Sequence, residues 1–105
     1  MIDLLIASVL TCGTATHYGV GDGLHGQPTA SGEPLDPYRW TAASPYLPIG
    51  SMVRVTNQRN GKQVTVRIND RGPYSHASID LTYAAFAHIE SISKGNATVC
   101  YRVIG

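Results

Sequence analysis

Hydrophobic and polar residues alternate along the middle of the chain, and this alternation predicts a β-hairpin. One face of the two strands carries the apolar residues Val53, Val55, Val66 and Ile68. The other face carries Arg54, Thr56, Thr65 and Arg67. The dipeptide Asn60-Gly61 between the strands suits a two-residue type I′ turn, which pairs Val55 with Val66 and Val53 with Ile68.

The same kind of pattern predicts shorter elements on either side of the hairpin. Residues 14–18 read as an N-terminal strand, and residues 97–104 read as a final strand in which Val99, Tyr101 and Val103 share one face. Between them, Thr82 begins a short helix, whose core-facing residues are Ala85, Phe86 and Ile89. A long connection over residues 19–48, rich in Gly, Pro, Ser and Thr, precedes the hairpin, and such connections often carry function.

Composition narrows the class of protein and of partner. The 105 residues suffice for one domain, and 11 Gly, 6 Pro and short Val/Ile/Thr runs favour a small β-rich fold. Only 14% of residues are charged and the net charge is +1, which argues against nucleic acid or an anionic membrane as partner. An uncharged polymer suits this surface better.

The N-terminal residues 1–12 are predicted to be a signal remnant or an extension, followed by one domain over residues 13–105. The apolar run of residues 4–10 resembles the core of a secretory signal, but it lacks a basic start and contains no more than seven residues. It is too short to span a bilayer, so no transmembrane segment is predicted.

Cys12 and Cys100 are the only cysteines, and each lies in or beside a predicted terminal strand. A disulfide between them would join the two ends of the domain and indicate an oxidising compartment. Two reduced thiols are the alternative. A lipid-modified Cys12 is a further one, because Val9-Leu10-Thr11-Cys12 faintly resembles a lipoprotein cleavage site.

The sequence offers carboxylates, and it lacks the motifs of several other chemistries. The four histidines and two cysteines show no zinc-ligand spacing, no glycine motif cradles a phosphate, and no Gly-x-Ser-x-Gly elbow is present. We therefore expect no metal and no cofactor. Asp70 ends the second hairpin strand, next to Arg71 and to Gly72-Pro73, which prevents further strand pairing, so it is a candidate reactive group. The alternative is that Asp70 only hydrogen-bonds its own turn. Glu33 and Asp36 lie three residues apart in the long connection, where ordinary surface acids are the alternative.

From about residue 13 to the end, a series of motifs in order resembles the rare lipoprotein A (RlpA) family. The motifs are Thr16-His17-Tyr18-Gly19, His25-Gly26, Thr29-Ala30-Ser31-Gly32-Glu33, Thr41-Ala42-Ala43, Leu47-Pro48, Asn69-Asp70-Arg71-Gly72-Pro73 and Ile79-Asp80-Leu81-Thr82. The resemblance implies a mainly β fold, a six-stranded double-psi β-barrel with one or two short helices, as in expansins and barwin-like proteins. It also implies a lytic transglycosylase of peptidoglycan.

Carried across motif by motif, the resemblance implies site residues. The acids implicated in activity correspond to Glu33, Asp36 and Asp70, and the expansin-like comparison adds Asp80 as a groove residue. Ser44 occupies the position after Thr-Ala-Ala where the family has a His, and it cannot titrate near neutrality. The other residues predicted to bind substrate are Tyr18, Tyr74 and Arg71, of which the tyrosines could stack on sugar rings or simply pack.

These residues lead to a mechanistic expectation with two rivals. Asp70 is predicted to protonate the leaving oxygen and then to deprotonate the muramoyl 6-hydroxyl, with Glu33 as the alternative acid/base. The partner is then peptidoglycan, the protein a monomer, and its location secreted, periplasmic or associated with the cell envelope. The rivals are a non-catalytic, expansin-like module that binds or loosens wall polysaccharide, and a barwin-like protein that contacts another protein.

Overall fold

Six strands close into one mixed β-barrel in the computed structural model, which describes residues 9–105. The strands are β1 (Thr11–Tyr18), β2 (Thr41–Ala43), β3 (Met52–Asn57), β4 (Gln63–Asp70), β5 (Ile79–Thr82) and β6 (Ala97–Val103). They are ordered β1-β5-β2-β4-β3-β6 around the barrel. The β1/β5 and β2/β4 pairs are parallel, and the remaining pairs are antiparallel. The six-stranded barrel predicted from the resemblance is confirmed.

One helix, α1 (Tyr83–Ile89), follows β5, and a 3-10 turn (Ile92–Lys94) precedes β6. Ala85, Phe86 and Ile89 are buried, as the sequence predicts. The expected cap is wrong in one detail, since the Thr82 side chain makes no capping bond. Its hydroxyl instead donates to the Arg39 carbonyl oxygen at 2.6 Å and so joins the long connection to the helix start. Among residues 9–105, no helix has the length and apolar content that crossing a bilayer requires.

The apolar residues predicted from the hairpin alternation do form the core. Val53, Val55, Val66 and Ile68 are fully buried inside the barrel, together with Phe86 from α1. The two strand faces are therefore assigned correctly. Burial of such aliphatic side chains stabilises the fold by about 1.5–3 kcal/mol each.

The register of the hairpin differs from the prediction by two residues. Val53 pairs with Val66 and Val55 with Val64. The Asn57 N–H also donates to the Lys62 carbonyl oxygen at 2.8 Å, so the loop between these paired residues holds four residues, 58–61, rather than two. The Gly61 N–H donates to the Asn57 carbonyl oxygen at 2.8 Å, and Gly61 has a φ of 73°. A shift by two residues keeps every side chain on its face, which is why the alternation alone cannot detect it.

Contacts with the end of α1 hold the longer loop in place. The side-chain amides of Asn57 and Asn60 donate to the Ile89 carbonyl oxygen at 2.8 Å and 3.0 Å. Arg59 forms an ion pair of 2.8 Å with Glu90, whose side chain is 4% exposed. The loop thus pairs with a distant element instead of closing tightly on itself.

The disulfide between Cys12 and Cys100 is present, so the alternatives of reduced thiols and of a lipid-modified Cys12 do not describe this structure. The two residues lie opposite each other in the antiparallel β1/β6 pair. Strand β1 begins at Thr11, two residues before the expected start of the domain. The predicted role of residues 1–12 stays a prediction, and its first eight residues lie outside the described part of the chain.

Candidate functional site

Asp80 lies on β5 beside the end of β1, where the two strands run parallel. Its partner in the register is Thr16, whose hydroxyl donates to Asp80 Oδ1 at 2.9 Å. Burial raises the pKa of Asp80 to about 6, the Thr16 hydroxyl and His17 oppose this rise, and the charges of Asp22 and Asp70 add to it. A carboxyl with this pKa holds a proton for part of the time near neutral pH and can deliver it.

Asp70 ends β4 at a β-bulge that changes its direction. Ala42 pairs with Ile68, but Ala43 pairs with Asp70, so Asn69 is an extra residue on β4. Unbroken alternation would turn Asp70 to the same face as Ile68, into the core. The bulge turns it outward instead, where its Oδ1 accepts from the N–H groups of Ala30 at 3.0 Å and Arg71 at 2.9 Å. Both donors stabilise negative charge on this oxygen.

Tyr18 is close enough to Asp70 and Asp80 for both charges to act on its phenol. Its hydroxyl is buried and directed towards Asp70, and it makes no hydrogen bond of good geometry among residues 9–105. Burial, followed by the negative charges of Asp70 and Asp80, raises the pKa of the phenol, so it stays neutral. Tyr18 and Asp70 line one small pocket with Thr29 and Leu35, beneath the long connection. Asp80 does not line this pocket, but its charge acts on Tyr18 and that of Asp70 acts on Asp80, so we call Tyr18, Asp70 and Asp80 together the acidic groove.

Glu33 contacts β4 through Asn69 and Arg67, in an environment that keeps it ionised. Its Oε1 accepts from the Asn69 side-chain amide at 3.0 Å and pairs with Arg67 at 2.7 Å. These two contacts, the amide first, lower the pKa of Glu33. Glu33 lines a second pocket, separate from the one that contains Tyr18. Asp36 lines this second pocket too and makes a 3.5 Å ion pair with Arg39. The structure therefore brings Glu33 and Asp36 together, in a pocket adjacent to the acidic groove.

Ser44 and Arg71 hold the backbone around the site. The Ser44 hydroxyl accepts from the N–H groups of Tyr46 at 3.3 Å and Leu47 at 3.0 Å, and the residue is 2% exposed. The Arg71 guanidinium donates to the carbonyl oxygens of Ser44 at 3.1 Å and Leu47 at 2.6 Å. Both side chains are thus engaged with the turn at residues 44–47. The Arg71 guanidinium does not pair with Asp70 as its neighbouring position in the sequence suggests; only its backbone N–H does.

Tyr74 lies in the loop after β4 and is 84% exposed. It is free to stack on a sugar ring, and that role stays a prediction. Within residues 9–105, no three His, Cys, Asp or Glu side chains are grouped as metal ligands.

Sequence reasoning missed Thr16, Thr41 and Asn69 as site residues. All three stand inside motifs that mark the site, Thr16-His17-Tyr18-Gly19, Thr41-Ala42-Ala43 and Asn69-Asp70-Arg71-Gly72-Pro73, so a signal existed. Their contacts depend on parallel strand pairing and on the bulge, which the sequence does not display.

Comparisons of the sequence with known proteins all find lytic transglycosylases. The lytic transglycolase family model matches residues 10–101. A probable endolytic peptidoglycan transglycosylase RlpA of Nostoc sp. is 50% identical over 94 residues, covering 89% of this chain and 25% of the relative. The endolytic peptidoglycan transglycosylase RlpA of Pseudomonas aeruginosa is 52% identical over 88 residues, covering 83% of this chain and 25% of the relative. The chain thus spans about a quarter of the length of these relatives.

Solved structures with similar folds agree on the architecture. The Streptomyces papain inhibitor has a TM-score of 0.75 at 24% identity, covering 94% of this chain and 97% of the inhibitor. A mutant Clavibacter michiganensis expansin in complex with cellohexaose has a TM-score of 0.73 at 22% identity, covering 92% of this chain and 51% of the expansin. These likenesses confirm the double-psi β-barrel fold.

Proposed function

Because the chain belongs to the RlpA family of lytic transglycosylase domains, we propose that it cleaves peptidoglycan glycan strands. The bond is the β-1,4 link between N-acetylmuramic acid and N-acetylglucosamine, cut within the strand to leave 1,6-anhydro-N-acetylmuramic acid. The observation that supports this most directly is the acidic groove. It places a proton-holding carboxyl, Asp80, near a carboxylate stabilised by backbone N–H groups, Asp70.

The surroundings of the two aspartates favour Asp80 as the acid/base, in place of Asp70 as expected from the sequence. Asp80 donates its proton to the leaving oxygen of the cleaved bond as charge develops on the sugar. The Asp70 carboxylate, held by the N–H groups of Ala30 and Arg71, stabilises the oxocarbenium-like transition state. The Asp80 carboxylate then takes the proton of the 6-hydroxyl as that oxygen attacks the anomeric carbon. No water and no cofactor enter this sequence of steps.

The other site residues predicted from the sequence hold the glycan or shape the groove around the two aspartates. Glu33 and Asp36 carry negative charge beside the groove but are paired with Arg67 and Arg39, so they orient the glycan rather than donate a proton. Tyr18 excludes water from the space between the aspartates. Tyr74 supplies an exposed aromatic surface for a sugar ring. We further propose that the protein acts as a monomer in the cell envelope, secreted or periplasmic, in keeping with its disulfide.

The relatives do not favour the two rival functions. They are named peptidoglycan transglycosylases, whereas the expansin and the papain inhibitor share the fold at 24% identity or less. Digestion of purified peptidoglycan, followed by mass analysis of the soluble products, tests the proposal. We expect anhydro-muropeptides from the native protein, and sedimentation with the wall without products would instead indicate a binding module.

Two substitutions test the roles of the aspartates. Asp80→Asn removes the proton donor and is expected to lower the rate of anhydro-product formation by about 10²- to 10⁴-fold. Asp70→Asn removes a nearby negative charge, so the pKa of Asp80, followed by carbon-labelled NMR, should fall below about 6. Asp80→Asn with unchanged activity would exclude Asp80 as the acid. Thermal unfolding of each variant controls for loss of the fold.

A further inference from the structure

The second pocket, beside the acidic groove, contains two buried polar atoms that have no hydrogen-bond partner among residues 9–105. The pocket is lined by Glu33, Pro34, Asp36, Arg39, Thr41, Arg67 and Asn69. The unpartnered atoms are Thr41 Oγ1 and Asn69 Oδ1, on residues that are 6% and 2% exposed. Buried polar atoms are nearly always hydrogen-bonded, so two in one pocket indicate a group that enters from outside the chain.

The hydrogen bonds around Asn69 determine what this group must offer. The Asn69 amide nitrogen donates to Glu33 Oε1 at 3.0 Å, which fixes the orientation of the side chain. Asn69 Oδ1 is therefore left as an acceptor and requires a donor. The Thr41 hydroxyl has no partner among residues 9–105 and can donate or accept. The pocket thus matches a ligand with a donor for Asn69 Oδ1 and a second polar atom, such as a carbonyl oxygen, for the Thr41 hydroxyl.

The charged and apolar side chains that line the pocket restrict the chemistry of the ligand further. Glu33 pairs with Arg67, and Asp36 pairs with Arg39, so the ionic groups around the pocket neutralise one another. A neutral site of this kind discriminates against a free carboxylate or an ammonium group. Pro34 adds an apolar ring to the same wall. A secondary amide with a methyl group has all the complementary features: an N–H, a carbonyl oxygen and an apolar end.

We propose that this pocket binds the 2-acetamido group of an N-acetylhexosamine in the glycan strand. Asn69 Oδ1 accepts from the amide N–H, the Thr41 hydroxyl donates to the acetyl oxygen, and the methyl group packs on Pro34. The inference rests on the proposed glycan substrate and adds a determinant of specificity to it. It predicts that the domain distinguishes N-acetylated glycans from glucose polymers through Thr41 and Asn69.

Binding of defined oligosaccharides to the whole chain tests this inference. The probes are the hexamer of N-acetylglucosamine, the deacetylated glucosamine hexamer and cellohexaose, each titrated by calorimetry or NMR. We expect the acetylated hexamer to bind several-fold more tightly than either of the others. Thr41→Val should weaken its binding by about 2- to 12-fold, the range of one hydrogen bond, without affecting cellohexaose. Thr41→Ser retains the hydroxyl and should bind as the native protein does.

A second substitution covers the case in which Thr41→Val fails to fold. Pro34 is exposed, so Pro34→Ala leaves the core intact and should weaken only the acetylated hexamer. Equal binding of all three hexamers, or unchanged preference in the folded variants, would overturn the inference and leave water as the occupant of the pocket. These outcomes are separate from cleavage. If the protein forms anhydro-products but Thr41→Val binds the acetylated hexamer as tightly as the native protein does, only the acetamido site is contradicted. If the protein prefers the acetylated hexamer but forms no anhydro-products, only the proposed cleavage is contradicted.

Discussion

Asp80 and Asp70 are both short acids near strand ends, yet their surroundings give them different chemistry. Asp80 is desolvated and receives a single hydroxyl donor from Thr16, which leaves its pKa at about 6. Asp70 is held by two backbone N–H groups. Pairs of acids placed in such unequal environments are the usual arrangement for a proton donor and a charge-stabilising carboxylate.

The Thr16 hydroxyl is predicted to tune Asp80. Because a hydroxyl donor favours the charged carboxylate, Thr16→Val should raise the pKa of Asp80 above about 6. If Asp80 is the acid, the alkaline limit of activity should move to higher pH. Carbon-labelled NMR titration measures the pKa, and pH–rate profiles measure the limit. Thr16→Ser retains the donor and serves as the control; an identical pKa in all three proteins would contradict the prediction.

At the level of elements, the hairpin and the bulge determine where the site lies. The four-residue loop places β4 in register with β3, and the bulge at Asn69 turns Asp70 out of the core. Contacts of Asn60 with Ile89 and of Arg59 with Glu90 hold this register. The groove is therefore positioned by an element that contributes no residue to it.

Gly61 should be required for this loop. Its φ of 73° lies in the left-handed region, and a Cβ added there meets no atom within 4 Å, so the cost of a side chain is conformational. Gly61→Ala is expected to lower the free energy of unfolding by about 1 kcal/mol. Urea denaturation measures the loss. Lys62→Ala, on the adjacent exposed residue, is the control, and an equal effect of the two substitutions would refute the argument.

At the level of the whole molecule, the disulfide and the buried acids link stability to conditions. Cys12 and Cys100 are 88 residues apart in sequence and join the first and last strands. Replacing both by Ser should lower the free energy of unfolding by about 4 kcal/mol in the chain-entropy model. Chemical denaturation of the oxidised protein and of the double variant measures the difference. Equal midpoints would show that barrel closure alone holds the ends together.

Two acids, Glu90 and Asp80, are predicted to make the stability of the fold depend on pH in opposite directions. The Arg59 guanidinium, then the Ser91 N–H and Asn57, lower the pKa of Glu90 to about 2. Its contribution is present above pH 4.5, the ordinary glutamate value, and is lost as pH falls toward 2. Asp80 acts in the opposite sense. Since its folded pKa of about 6 exceeds the unfolded value of 3.8, stability falls as pH rises from 3.8 to 6.

Asp80→Asn should therefore stabilise the fold at neutral pH. The variant no longer places a charge in the half-buried site, and a gain of about 1–2 kcal/mol is expected at pH 7, after allowing for solvent screening. The gain should shrink as pH falls and vanish well below pH 3.8, where Asp80 of the native sequence is protonated in both the folded and the unfolded state. Thermal unfolding across this pH range checks the prediction. A variant that is less stable than the native protein at pH 7 would contradict it.

The core faces, the helix and the order of the site motifs could be predicted from the amino-acid sequence, because they depend on alternation and local spacing along the chain. Val53, Val55 and Phe86 are buried as predicted. The hairpin register, the outward direction of Asp70 and the pairing of Thr16 with Asp80 became evident from the folded barrel. A register shift of two preserves the alternation, and parallel pairing joins residues far apart in sequence. The difference between the two aspartates arises from burial and neighbouring charge, which exist only once the barrel has closed.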